Sequence, residues 1–341
     1  MNAIFHNSKS WLGSDCAYSF KLDNGDNLWW FGDTFISAKT DGKPQTMINN
    51  SIGFLHGPVS DAHFEFHWGS RGGGAPESQS RSPHEHEWYW PGDGAVIGEH
   101  LYMFMKRVRS RHDPKAGAFN FEDAGDDLVR FVSSQNGSPP ILEQCTPVAA
   151  PDEDILFGAA CTQDEHYFYS YCSSRKDATG LDAHPCVIAR IEKSRLDNCT
   201  LSDWQYWNET GKTWSSSRDQ ASILFADAAP EMTVSFLKGW NLYIAIYMPP
   251  LSSKIIMRTA ARPEGPFSPP TEIYKCPETE TIVNGNRVMV YSAKAHPELS
   301  PTPDDLFVTY CSNPGDLKNF VVRPDLYSPH FLRLRLSREV R

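Results

Sequence analysis

Asp15 and Asp33 are the residues whose placement points most directly to chemistry. Asp15 precedes an apolar and aromatic run at residues 16–22, Asp33 lies near the end of a second run at 28–35, and Asp23-Asn24-Gly25-Asp26 stands between the runs. That tetrapeptide supplies residues that tolerate φ > 0, so the two runs fold back as a β-hairpin with a carboxylate near each open end. The turn sets how near they come. A two-residue Asn24-Gly25 loop places Asp15 opposite Thr34 and turns Asp33 to the other face, because side chains alternate along a strand. A three-residue loop closed by a glycine bulge places Asp15 opposite Asp33, with Cβ atoms roughly 5 Å apart. Carboxylates so placed repel unless a proton is shared, as acid–base sites require. The plainer reading makes Asp33, after Gly32, a turn residue and Asp15 a loop residue.

The elements that position this hairpin repeat along the chain. An aromatic-rich strand pattern recurs as Leu28-Trp29-Trp30-Phe31, Leu101-Tyr102-Met103-Phe104, Tyr167-Phe168-Tyr169-Ser170-Tyr171, Leu242-Tyr243-Ile244-Ala245-Ile246 and Leu306-Phe307-Val308-Thr309-Tyr310, at intervals of 64 to 75 residues. Further strands are expected after each copy, at 52–55, 128–132, 187–191, 255–259 and 332–336, and fourth strands at 63–68, 204–207 and 271–274. The expected fold is all-β: a five-bladed β-propeller with four antiparallel strands per blade around a central channel. It forms a single domain over 1–341, with blades at 11–68, 87–148, 152–214, 229–276 and 286–341. Ring closure is expected to pair a strand from one terminus with strands from the other, since an unclosed ring leaves edges exposed. Residues 69–83, rich in glycine and serine, read as a long inter-blade loop.

Composition bounds the partners. The 341 residues, 40% hydrophobic and 22% charged, suit one globular core, and a net charge of −10 without a basic face argues against nucleic acid. No apolar run is long enough to span a membrane, and residues 1–10 lack the features of a secretory leader. Oligomeric state is not legible. The eight cysteines are scattered without zinc or redox spacing and read as buried thiols, which leans to a reducing compartment; acceptor triplets at Asn49, Asn136, Asn198 and Asn208 suit a mature secreted form instead.

In a propeller, the residue that opens each first strand and the loop after each second strand reach one face of the disc. That rule gathers Asp15 and Asp33 with Asp93, Glu153, Asp154, Glu231, His296 and Glu298 about the axis. Trp11, Trp88 and Trp90 would stand on the rim as flat faces on which sugar rings stack; packing between blades is the alternative for each. A histidine near the axis, such as His296, is more often a buried hydrogen-bonded group than a base.

Trp11-Leu-Gly-Ser-Asp15-Cys-Ala-Tyr-Ser19, Asn24-Gly25 and Leu28-Trp-Trp-Phe-Gly-Asp33-Thr34 resemble the opening of a group of five-bladed propeller proteins that includes microbial endo-D-arabinanases, and more distantly the propeller furanosidases such as arabinanases and β-fructosidases. Trp88-Tyr-Trp-Pro-Gly, Pro230-Glu231-Met-Thr-Val-Ser235, Gly265-Pro-Phe-Ser-Pro269 and Ala295-His296-Pro-Glu298-Leu299 are similar to later motifs of that group. Ser14, Cys16 and the 69–83 segment depart from its pattern. The resemblance implies hydrolysis of a furanoside-containing, arabinan-like carbohydrate, with Asp15 and Asp33 as the catalytic pair and Glu231 as an alternative acid or pKa modulator. Trp11, Trp88, Trp90, Asp93, Asp154, His296 and Glu298 would then bind substrate. No cofactor is implied. A structural calcium near the axis is compatible with the group, but no acidic loop of regular spacing is present and no metal ligands are assigned. The rival reading is a non-catalytic carbohydrate-binding or scaffold propeller.

Overall fold

A computed structural model describes residues 2–37, 44, 46–59, 61–113, 115, 120–132, 137–151, 153–175, 184–315 and 317–337. Residues 152 and 338–341, at the ends of two expected repeats, and the triplet residue Asn136 lie outside the described residues.

Antiparallel sheets succeed one another along the chain. The first joins Tyr18–Lys21, Asn27–Phe31, Ser51–His56 and His63–His67. The second joins Glu87–Ile97, His100–Ser110, Phe121–Val132 and Ile141–Ala149, the last of these a strand that the sequence pattern did not show. A third runs Ile155–Gln163, Tyr167–Ser174, His184–Glu192 and Gln205–Asn208, extended by Thr213–Ser215 and Phe225–Ala228. The fourth holds Met232–Leu237, Leu242–Tyr247, Lys254–Ala260 and Thr271–Lys275, and the last holds three strands, Met289–His296, Asp305–Asn313 and Pro329–Arg335. Each aromatic repeat forms the second strand of its sheet, where residues on both faces are buried between neighbouring sheets. Among the described residues the one α-helix is Leu317–Val322. The 69–83 segment is partly ordered, pairing Gly69–Ser70 with Pro76–Glu77.

Core packing runs sheet to sheet and returns to its start. Side chains of the first and second sheets share one apolar cluster, and further clusters lie between second and third, third and fourth, and fourth and last. Phe5, Trp11, Trp29 and Phe31 then pack with Leu299, Phe307 and Phe331, which joins the last sheet to the first. The expected strand exchange between termini is not what closes this arrangement: among the described residues Pro329–Arg335 pairs with Asp305–Asn313 and no N-terminal strand joins that sheet. Apolar packing replaces it, with Phe5 stacked 5.2 Å from Phe331, a burial worth roughly 2 kcal/mol for each such side chain.

Candidate functional site

The opening hairpin takes the register that sets the two aspartates opposite. Leu22 N–H donates to Asp26 O at 3.0 Å and Gly25 N–H to Leu22 O at 3.1 Å, with Gly25 at φ 95, which makes the loop three residues long and bulged at glycine. Tyr18 therefore pairs with Trp30, and beyond a break the same register resumes with Ser14 opposite Thr34. Asp15 lies within the break, followed by Cys16 at φ 64 and Ala17 at φ 67. Two successive left-handed residues are uncommon and turn the chain so that Asp15 faces inward.

Asp15 and Asp33 line a cavity of about 700 Å³. Asp15 Oδ2 accepts from Tyr291 O–H at 2.7 Å and Tyr327 O–H at 3.1 Å. Asp33 Oδ1 accepts from Trp90 Nε1–H at 2.7 Å and from the Asn49 amide at 3.3 Å. Burial, the neighbouring Asp33 and Glu231 together push Asp15 up to about 7, against the two tyrosine hydrogen bonds. Burial raises Asp33 to about 6, moderated by Trp90 and Asn49. Both carboxyls thus keep protons well above the pH at which an exposed aspartate loses its own, Asp15 more tightly than Asp33.

Glu231 enters the same cavity just before the first strand of the fourth sheet. Its Oε2 accepts from Ser292 Oγ at 2.5 Å and from Lys294 Nζ at 3.0 Å. Lys294 is fully buried, donates also to Cys16 O at 3.0 Å, and lies 4.2 Å from the centre of the Tyr18 ring. Burial alone would raise the Glu231 carboxyl, but the ammonium and the hydrogen bonds outweigh it and hold the group below its ordinary value. A bulge between Tyr291 and Lys294, with Ser292 at φ 62, aims these three side chains from one strand at Asp15 and Glu231. A calcium ion does not fit beside Glu231, because Cys16 O, Ser292 Oγ and Glu231 Oε2 already surround the Lys294 charge.

The model of the family described as "Domain of unknown function (DUF5005)" matches residues 1–336. The chain belongs to the DUF5005 family. Among curated proteins none matches this DUF5005 sequence. In structure it resembles a Bacteroides ovatus protein described as a "putative hydrolase", at 20% identity and a TM-score of 0.71 over 97% of this chain and 88% of that one. A glycoside hydrolase family 43 enzyme of Xanthomonas citri, complexed with xylotriose, gives 0.55 at 12% identity, covering 99% and 93%. A family 43 arabinoxylan arabinofuranohydrolase of Bacillus subtilis gives 0.54 at 11% identity, covering 96% and 64%. The DUF5005 chain thus has the nearly all-β propeller-type fold of family 43.

Of the sequence-predicted residues, the cavity brings together Asp15, Asp33, Glu231 and Trp90. The others lie elsewhere. Trp11 is a correction: it is fully buried, stacked 4.2 Å from Phe66 with its Nε1–H on Ser51 Oγ at 3.1 Å, because its strand turns it into the core between the last and first sheets. Trp88 lines a separate cavity of about 660 Å³ beside the 69–83 segment, with Arg71, Glu77 and Arg81. Asp93 is buried and bridges sheets, accepting from Cys161 N–H at 2.7 Å and Gly94 N–H at 2.8 Å, and burial raises it to about 7. Asp154 is exposed outside the cavity, and its neighbour Glu153 pairs with Arg218.

His296 and Glu298 are not among the residues that line the cavity. His296 is buried between Ser19 Oγ at 2.6 Å and Thr309 Oγ1 at 2.7 Å, stacked 4.5 Å from Trp29, and burial lowers it to about 3. Glu298 accepts from Ser19 away from the cavity, and burial raises it to about 7. Sequence reasoning missed Tyr291, Tyr327, Lys294, Ser292 and Asn49. A lysine inside the strongly apolar final repeat was the one available signal, since buried lysines are rare unless paired.

Proposed function

We propose that this DUF5005 protein is a glycoside hydrolase acting on a furanoside-containing, arabinan-like oligo- or polysaccharide, built as one five-bladed propeller over 11–68, 87–148, 152–214, 229–276 and 286–341. The observation that supports it best is the convergence at one cavity of Asp15 and Asp33, opposite in register and raised to about 7 and about 6, with Glu231 held ionised by Lys294. Glycosidic cleavage needs a carboxyl that still holds a proton and a carboxylate beside it. Asp15 keeps the proton for the leaving oxygen. Asp33, supported as a carboxylate by Trp90 and Asn49, serves as nucleophile or as base for water, and Glu231 acts as the charge that lifts Asp15. The arabinofuranohydrolase among the family 43 relatives in fold favours a furanoside.

Reducing-sugar release from D-arabinan, L-arabinan, fructan and galactofuranan, with xylan as a control, tests the reading. Hydrolysis of a furanoside polymer, lost in Asp15→Asn, is the expected result. Retention of a polymer on the protein with no release over days would instead favour a carbohydrate-binding propeller.

A further inference from the structure

A second cluster of chemically capable side chains lies apart from the cavity, in the second sheet. His84 Nε2 stands 3.3 Å from Asp127 Oδ2, and Cys145 Sγ stands 3.1 Å from the same oxygen. The three donor atoms all lie within 4.8 Å of one another. Tyr89 also donates its hydroxyl to Asp127 Oδ2 and lies 3.1 Å from Cys145 Sγ. These residues come from the segment before the second sheet, its first strand, its third and its fourth.

We propose that His84, Asp127 and Cys145 bind a divalent ion of the zinc type, with Tyr89 Oη or a water as fourth ligand. Imidazole, carboxylate and thiolate form the ligand set that zinc prefers, and its bond lengths put neighbouring ligand atoms roughly 3.3 to 3.6 Å apart. The two spacings to Asp127 Oδ2, 3.3 and 3.1 Å, lie at and just below the short edge of that range, so binding would draw these groups slightly apart around the ion. Asp127 is fully buried, and its other oxygen, Oδ1, lies 3.3 Å from Arg107 Nε in an ion pair without hydrogen-bond geometry, so that oxygen has no hydrogen bond of its own. His84 is 34% exposed and leaves a route of entry.

Charge favours the ion. Without it Asp127 and Glu87 face Arg107, two carboxylates against one guanidinium, whereas a divalent ion bound by the Cys145 thiolate makes the cluster neutral. The thiol proton leaves for solvent when the metal binds, so affinity rises with pH. The Arg107 Nη1 contact to His84 Nε2 at 3.4 Å must give way. The bound ion would clip residue 84 to the sheet just ahead of Trp90, the donor to Asp33.

The test uses the full chain, stripped with EDTA and titrated with zinc or cobalt chloride. The expected result is about one equivalent bound, a thiolate-to-cobalt charge-transfer band, and a higher melting temperature with zinc. Cys145→Ser and His84→Gln should each weaken binding by about a hundredfold while circular dichroism stays unchanged. Cys145 is half-buried whereas the other seven cysteines are buried, so zinc should protect it from alkylation in the wild-type chain, a readout that needs no variant. Unchanged alkylation, no charge-transfer band, or binding equal in wild type and His84→Gln would each overturn the proposal.

Discussion

At Asp15 and Asp33 the same electrostatics that suit acid–base work also set a stability cost. Both carboxyls bind protons more tightly in the folded chain than unfolded, so between about pH 4 and 7 the native state holds the extra protons and stability falls as pH rises through about 7 and about 6. Asp15→Asn and Asp33→Asn remove part of that loss. Each should melt no lower than wild type at alkaline pH, with a flatter dependence of melting temperature on pH, while losing about a hundredfold or more in turnover. The double variant should be little worse than either single one, because both groups act on one transition state. A steeper pH dependence in either variant would contradict the assignment.

Lys294 calls for a different expectation. It is buried, and its ammonium is the nearest positive charge to the Glu231 carboxylate. Lys294→Met leaves that carboxylate without its partner and should lower stability by about 3 kcal/mol. Glu231→Gln in the same chain should restore a good part of it, since a neutral amide needs no counter-charge. Denaturant melts of the two single variants and the double read this coupling directly.

At the scale of elements, the hairpin works because backbone breaks re-aim side chains at its inner end. Gly32 is one such place: a Cβ there would run into Asp15 Oδ1 and lie 2.7 Å from Cys16 Sγ. Gly32→Ala should therefore displace Asp15, and turnover should fall by about tenfold or more while the chain still folds, since a small misplacement of a reacting group has that effect. The two tryptophans of the early strands should separate in the same assays. Trp11→Ala opens the core and should cost about 4 kcal/mol, whereas Trp90→Phe, which removes the hydrogen bond to Asp33, should act mainly on turnover. Equal stability losses from both would mean that Trp90 too is a core residue.

For the whole molecule, closure by packing makes the C-terminal strand indispensable. Pro329–Arg335 is an edge strand of the last sheet, and Phe331 stacks on Phe5 at 5.2 Å and meets Trp29 edge-on at 5.8 Å. Removing those residues exposes the core between the last and first sheets, so cooperative unfolding should be lost altogether. A soluble truncation with a sharp melt would show that the remaining sheets hold the first one without it.

The hairpin, the repeated aromatic strands and nearly every strand that follows them were legible in the sequence, because turn chemistry and side-chain alternation are local. So was the pairing of Asp15 with Asp33, once the loop is known to be three residues long. Only the tertiary structure decided that loop, which no pattern of types distinguishes from the two-residue alternative. The same holds for Tyr291 and Tyr327, which reach Asp15 from 276 and 312 residues away. Trp11 and Trp90 each flank an aspartate and look alike in sequence; the direction in which each strand turns when neighbouring sheets pack buries one and gives the other to the cavity. His84, Asp127 and Cys145 show the limit most plainly, since groups drawn from a loop and two separate strands leave no spacing to read until the fold brings them within reach.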